Sequence, residues 1–508
     1  MKKEIKFGAV IGYINLVVNV LITLLYTPLM LKLMGQSEYG LYSLVTSIIA
    51  YFSVLDMGFG NAMIRFVSKS KAKKEREKEA KINGMFLFLY LIMGLISLIL
   101  GIVVFNNSST IFSASLSKTE LEKAKILLII LLANVTLSFP LSVFDSYVVA
   151  NEKFVFAKVL SLLKTTLKPL LMIPLLLFGY KSIAMALVVT GLNIACHIIT
   201  LVFCFSKLKM KITFKTREFD KGLLKEISTY SFFIFLNIIV DNVFNNTDQI
   251  ILGITSGTIA VSIYAVASQI TQMNTQCSTI ISGLFLPRIT KLLEEKDADK
   301  KISDIFIKVS RIQLYIMSLI LSGFIVFGKI FIKFWAGEKY MDAYYIVLLI
   351  IGPGLIPLTQ NIGISVIQAK NIHQFRSIIY IFIAIINVVI SIPLAKMYQG
   401  IGAAIGTAFA NLCGQIVAMN IYYYKKAKLD IPTYWKNFIN LIIKVAVLTL
   451  FFVLIINKLN ITILTFLLLG FIFILSYMVL VYINMNDEEK QSITIFFKRI
   501  RNKIRKYY

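Results

Sequence analysis

Apolar residues in this chain come in long uninterrupted blocks, not at the spacing of an amphipathic helix. Blocks of about 20 residues or more predict helices that cross a bilayer. Between charged or turn-rich breaks, fourteen spans are read: 8–33, 39–66, 83–106, 124–150, 158–180, 182–205, 227–253, 259–287, 305–332, 343–368, 377–398, 400–423, 438–456 and 462–483. The pattern predicts an all-α polytopic membrane protein with about 14 transmembrane helices. The first block is too long for a signal-peptide core and shows no cleavage site, so a retained helix is expected there.

Composition agrees with the pattern. Of 508 residues, 58% are hydrophobic and 16% charged, against roughly 45–50% and about 25% in soluble domains. Mean hydropathy is +0.79.

The net charge of +27 raises nucleic acid as a partner, but its placement argues otherwise. Lys2, Lys3 and Lys6, the loops 67–82, 151–158, 206–226, 288–304, 369–376 and 424–437, and the tail 484–508 hold most of the 53 Lys and Arg. All lie on one side of the predicted spans. By the positive-inside rule that side is cytoplasmic, as are both termini. The charge is a topology signal, and no nucleic-acid partner is expected. The run "KSKAKKEREKEAK" (69–81) reads as a solvated loop or an amphipathic surface helix. The tail "FFKRIRNKIRKYY" (496–508) alternates basic and apolar residues and is expected to lie on anionic membrane lipids.

Cys196, Cys204, Cys277 and Cys413 lack metal-ligand spacing and read as apolar fillers, and His197 and His373 are too separated for a zinc site. "GFIVFGKI" (323–330) mimics a phosphate loop but has no Ser or Thr for magnesium and lies in an apolar span. No cofactor is expected beyond a coupling ion.

A weak internal repeat pairs "MGQSEYGLYSLVTSI" (34–48) with "SGTIAVSIYAVASQI" (256–270), Gly35 matching Gly257 and Tyr42 matching Tyr264. A nearly equal offset pairs Ala150 with Ala369, Phe156 with Phe375 and Pro174 with Pro393. Two six-helix lobes in pseudo-two-fold arrangement are predicted, residues 1–206 and 227–424, joined by a cytoplasmic linker, 207–226. Residues 425–508 add two helices and a basic tail. Such lobes rock about a central cavity to give alternating access.

The stretch "YINLVVNVLITLLYTPLMLKLMGQSEYGLYSLVTSI", then "LDMGFGNAMIRFVSK", resembles the start of bacterial polysaccharide (Wzx-type) flippases of the multidrug/oligosaccharidyl-lipid/polysaccharide exporter superfamily. "NTDQIILGITSGTIAVSIYAVASQI" (246–270) looks like that family's seventh and eighth helices. The resemblance implies a non-enzymatic carrier in the bacterial cytoplasmic membrane. Its substrate would be a lipid-linked oligosaccharide, a repeat unit on polyprenyl pyrophosphate, moved from inner to outer leaflet for O-antigen or capsule biosynthesis. Other polysaccharide-assembly proteins are implied partners.

Charged residues within the spans are the candidate sites, because lipid-facing charge is costly. Lys164 and Lys168 share one face of the fifth span, beside Pro169 and Pro174, and suit passage of a pyrophosphate or, alternatively, structural pairing. Arg65 and Arg311, near the cytoplasmic ends of spans two and nine, suit its capture. Arg65 also reads as a snorkelling residue. Asp241, Asn245 and Asp248 form one stripe of the seventh span, and Asn242, Asn246 and Gln249 the adjacent one. Such a stripe must line a cavity or pair across the lobes. Asp241, Asp248 and Asp56 are the candidates for coupling to H+ or Na+. Gly58 and Gly60 either kink the second span so that Asp56 faces the cavity or serve close helix packing. Asp248 matches a frequent aspartate of the family; Asp241 matches no motif.

Three other functions compete. A multidrug/cation antiporter would favour acids and aromatics over cavity lysines, and a peptidoglycan-precursor flippase shares the charge logic. A membrane glycosyltransferase or polymerase would need catalytic residues in an outer loop, whereas the largest, 107–123, has no His or Asp.

Overall fold

The computed structural model describes residues 2–214, 221–283, 285–372, 374–459 and 462–491. The basic tail 496–508, His373 and part of the expected linker lie outside the described residues. The helices are α1 (Lys2–Met34), α2 (Gln36–Ala50), α3 (Phe59–Ala72), α4 (Arg76–Phe112), α5 (Lys118–Ala150), α6 (Phe154–Leu177), α7 (Ser182–Ser206), α8 (Lys221–Thr255) and α9 (Thr258–Gly283). They continue as α10 (Leu286–Leu292), α11 (Ala298–Trp335), α12 (Ala343–Thr359), α13 (Ile362–Ala369), α14 (Gln374–Asn411), α15 (Met419–Lys425), α16 (Ile431–Ile456) and α17 (Ile463–Asn484). There is no strand among the described residues.

Ten of these helical stretches are long and apolar enough to cross a membrane, and the pair α12–α13, bent by 46°, is an eleventh. The stretch Gln374–Lys425 counts once there but runs 52 residues. It turns at Gln399 (φ 49°, ψ −130°) and doubles back, so it supplies two of the expected spans. Helices α8 and α9, of 35 and 26 residues, supply the remaining two. Both carry polar residues, and those of α8 build much of the site described below.

Local chemistry sets the ends and breaks. Ser117 and Glu120 form a reciprocal capping box at α5, Asp430 caps α16 ahead of Pro432, and Thr462 caps α17 with Thr465. The second expected span breaks between α2 and α3. Tyr51–Asp56 tightens into a 3-10 turn. Met57 and Gly58 then take left-handed backbone, φ 48° and 73°, which Gly58 adopts without strain. The expected kink at Gly58 is present, and Asp56 sits at its apex.

Packing resolves two compact units, Met1–Ile270 with Trp335–Ile346 and Gln374–Ala410, and Thr271–Phe334 with Val347–His373 and Asn411–Tyr508. In the first, α5 packs on α4 and α7, and α1 on α6. Phe59, Phe86, Tyr90, Phe139 and Phe144 are buried together, with edge-to-face rings such as Phe59–Tyr90 at 6.1 Å. Gly40 lets α2 approach α9 closely, because a Cβ there would strike the Thr258 carbonyl. In the second unit, Val326 and Phe327 of α11 pack on Phe452 of α16 and Phe473 of α17. Leu464, Phe471 and Ile483 on α17 remain exposed, as a lipid-facing helix requires.

Candidate transport site

Helix α8 divides its polar residues between two neighbours. One stripe faces the broken second span. Ser47 donates to Gln249 Oε1 (2.9 Å), Asn242 donates to Ser53 (3.3 Å), and Tyr51 pairs with Thr247. Asn246 donates to Asn242 (3.1 Å), extending the row along the helix.

Asp248 turns the other way, toward α9 and α14, and only 2% of its surface is exposed. Its Oδ2 accepts from Tyr264 of α9 and from Thr407 of α14, the latter at 2.6 Å. Behind Thr407 the chain of bonds continues. Asn387 donates to Thr407 Oγ1 (3.1 Å) and accepts from Ser391 (2.9 Å). The other carboxylate oxygen, Oδ1, is buried with no hydrogen-bond partner. The cage around Asp248 is therefore made of neutral groups, with an acceptor left over. Asp241, two turns earlier, is exposed and senses Arg376 electrostatically; the Arg376 guanidinium lies 4.6 Å from the Tyr380 ring.

A second polar cluster occupies a cleft of about 260 Å³ among α5, α6 and α7. Ser161 and Lys164 come from one face of α6; Asn193, His197 and Thr200 from one face of α7; Asp145 from α5. His197 Nδ1 lies 2.9 Å from Asp145 Oδ2, Asn15 donates to Ser161 at 2.8 Å, and Asn193 donates to Asn134 at 3.3 Å. Lys168, one turn beyond Lys164, is partly buried and close enough to Lys164 for like-charge repulsion. The structure thus brings Lys164 together with two ionisable groups that sequence reasoning passed over. The signal was available: Asn193, His197 and Thr200 recur at i, i+4 and i+7 on an otherwise apolar helix.

Asp56, at the break, accepts from Tyr90 at 2.6 Å. Arg65 is exposed on α3, its guanidinium 5.7 Å from the Phe66 ring.

Arg311 is placed differently from the expected capture role. Its Nε and Nη2 grip both oxygens of Glu489, at 2.9 and 3.0 Å. Nη1 donates to Asn437 (3.1 Å), and Tyr315 (2.8 Å), the Asn484 carbonyl (3.1 Å) and Asn486 (3.3 Å) surround Nη2, which has one hydrogen left to share among them. Burial acts to raise the Glu489 pKa, but the hydrogen bond and charge of Arg311 hold it below the ordinary glutamate value. The geometry makes Arg311 the anchor of the C-terminal helices.

Where α2, α5, α7 and α9 begin, acids knit the first unit together. Glu38 takes Lys123 and Ser182, and Glu120 accepts from Ser37 and Thr258, both at 2.7 Å.

Comparison with known proteins places this arrangement. The chain is similar in structure to "Lipid II flippase MurJ, inward closed conformation", with TM-score 0.70 and 18% identity over 94% of this chain and 98% of that one. It is also similar to an inward-facing multidrug resistance MATE family transporter of the MOP superfamily, with TM-score 0.60 and 14% identity over 83% and 99%. A MOP superfamily transporter from Pyrococcus furiosus matches with TM-score 0.53 and 15% identity over 84% and 97%. No curated protein sequence matches the chain. The fold is that of MOP-superfamily transporters. Residues 8–293 match the family described as polysaccharide biosynthesis protein, and the chain belongs to that family. The expected resemblance is thereby borne out at the level of family and fold.

Proposed function

We propose that this protein carries a lipid-linked oligosaccharide, a repeat unit on polyprenyl pyrophosphate, from the inner to the outer leaflet of a bacterial cytoplasmic membrane. The reading treats residues 1–206 and 227–424 as lobes that rock about the substrate path, with 425–508 appended. What chiefly supports it is the α5–α7 cleft, where Lys164 stands in a polar pocket of a polysaccharide-family chain. A pyrophosphate leaving water needs compensating cations. Lys164 and Lys168 supply them at two depths, and an ammonium releases phosphate more readily than a bidentate guanidinium. Arg65 is assigned to first capture; Arg311, engaged by Glu489, is not.

Coupling is assigned to the acids. Proton or sodium binding at Asp248, with Asp241 and Asp56 in support, biases the two openings. On this reading, the bonds of Glu120 to Ser37 and Thr258 are contacts that one state of such a cycle makes and the other breaks. The reading includes no nucleic-acid partner and no cofactor beyond the coupling ion.

The likeness to a lipid II flippase favours a second reading, a peptidoglycan precursor as cargo. Both are separated by one experiment. Depletion of the protein should accumulate sugar-loaded polyprenyl pyrophosphate of the surface polysaccharide on the inner leaflet, and the Lys164→Gln, Lys168→Gln double variant should reproduce this at normal membrane levels. Accumulation of the peptidoglycan precursor would transfer the assignment to that cargo; accumulation of neither would sink both.

A further inference from the structure

The basic run 69–81 is folded into a built cavity. Its first half completes α3, a turn follows with Lys74 at φ 60°, and its second half opens α4 at Arg76. The segment leaving α7 lies across this corner. Met210 is 4% exposed, and its amide bonds to the Cys204 carbonyl at 3.0 Å. Thr213 donates its amide to the Ala80 carbonyl (3.1 Å), and Asn83, fully buried, donates to the Lys211 carbonyl at 3.0 Å. Gly84 permits this contact, because a Cβ there would collide with the Thr213 backbone.

These contacts border an open cavity of about 450 Å³ lined by Lys71, Arg76, Glu79, Tyr147, Lys209 and Lys211, with Ala80 and Leu208. Four of these eight are cations. The single acid, Glu79, is occupied by the Tyr147 hydroxyl at 2.6 Å. Lys71 reaches Asn151, a neutral partner. Among the described residues, Arg76, Lys209 and Lys211 have no carboxylate within ion-pair distance. The cavity has room for on the order of fifteen waters. A concave site with convergent like charges, on a fixed backbone, is under-neutralised and selects an anion. Arg76 provides a bidentate fork and the lysines provide point charges, the combination that suits phosphate oxygens. The site lies at the basic ends of α3 and α4, the ends that the positive-inside rule assigns to the cytoplasmic face.

We propose that this cavity binds a phosphate-bearing anion, supplied either by an anionic lipid headgroup or by free phosphate, and that the bound anion fastens segment 207–214 to the start of α4. The site is separate from the α5–α7 cleft and from Asp248, and its occupancy does not depend on which sugar is carried.

The test uses full-length protein in detergent with phosphatidylglycerol, phosphatidylcholine or inorganic phosphate as probes, read by native mass spectrometry and thermal unfolding. Phosphatidylglycerol should be retained and should raise the melting temperature, with retention about fivefold weaker for each cation removed in Arg76→Gln, Lys209→Gln and Lys211→Gln. Those three side chains are exposed, and wild-type retention should itself fall as salt rises, a readout that needs no variant. If inorganic phosphate displaces the lipid and stabilises the protein alone, the site stands and its source is soluble. Equal retention of phosphatidylglycerol and phosphatidylcholine, or undiminished binding by the triple variant, overturns the proposal.

Discussion

Asp248 on α8 and Glu489 beyond α17 are both buried carboxylates, 2% and 9% exposed, yet their surroundings differ in kind. Glu489 is clamped by both arms of the Arg311 guanidinium, and its charge is cancelled where it stands. Asp248 is held by the hydroxyls of Tyr264 and Thr407, with one oxygen unbonded and no opposite charge among its hydrogen-bond partners. Burial of an uncompensated charge is expensive, so a neutral cage favours whatever cation comes to fill it. An ion pair makes a fixture; a neutral cage makes an exchangeable site.

Breaking the fixture should produce the largest effect. Glu489→Gln leaves Arg311 buried without its counter-charge, and unfolding in detergent should lose about 3–5 kcal/mol. Transport per folded molecule should change little. A loss of stability no larger than that of an exposed surface substitution would show that the pair is decorative.

The cage should answer in the opposite way. Asp248→Asn keeps an oxygen for Tyr264 and Thr407 but cannot exchange a cation, so gradient-driven transport in membrane vesicles should fall by roughly 5- to 150-fold. Expression and melting temperature should stay near wild type. Undiminished gradient-driven transport would remove Asp248 from the coupling reaction.

Acidity separates the two further. Because the folded-state pKa of Glu489 is lowered, its contribution to stability is complete above the ordinary value of 4.5 and is lost as pH falls through the lower folded value. Unfolding measured from pH 7 downward should show a decline in wild type that is shallower in Glu489→Gln. A smaller effect should follow Tyr90→Phe, which deletes the hydroxyl that Tyr90 donates to Asp56. A cost of about 1 kcal/mol is expected, with a weaker effect on coupling than Asp248→Asn.

The contrast was half legible in the sequence. Periodicity alone places Asp248 on a polar stripe that lipid will not tolerate, and Gly58 marks the break that positions Asp56. What periodicity cannot supply is the partner. Thr407 lies 159 residues from Asp248, and Glu489 lies 178 from Arg311. Arg311 therefore read as a cation awaiting a substrate, although its carboxylate sat in a segment taken for tail. His197 was judged as a metal ligand and set aside, when its position above Asn193 on α7 already marked a polar wall.

The reversal at Gln399 gives the cage a property that side chains do not. Asn387 meets Thr407 and Ser391 meets the Ala403 carbonyl across one hairpin, closed through a single residue of left-handed backbone. A helix turns about 100° for each residue added or removed. One insertion beside Gln399 would therefore swing Thr407 away from Asp248 while leaving every side chain in the cage intact. Length polymorphism, harmless in most surface connections, is forbidden at this one.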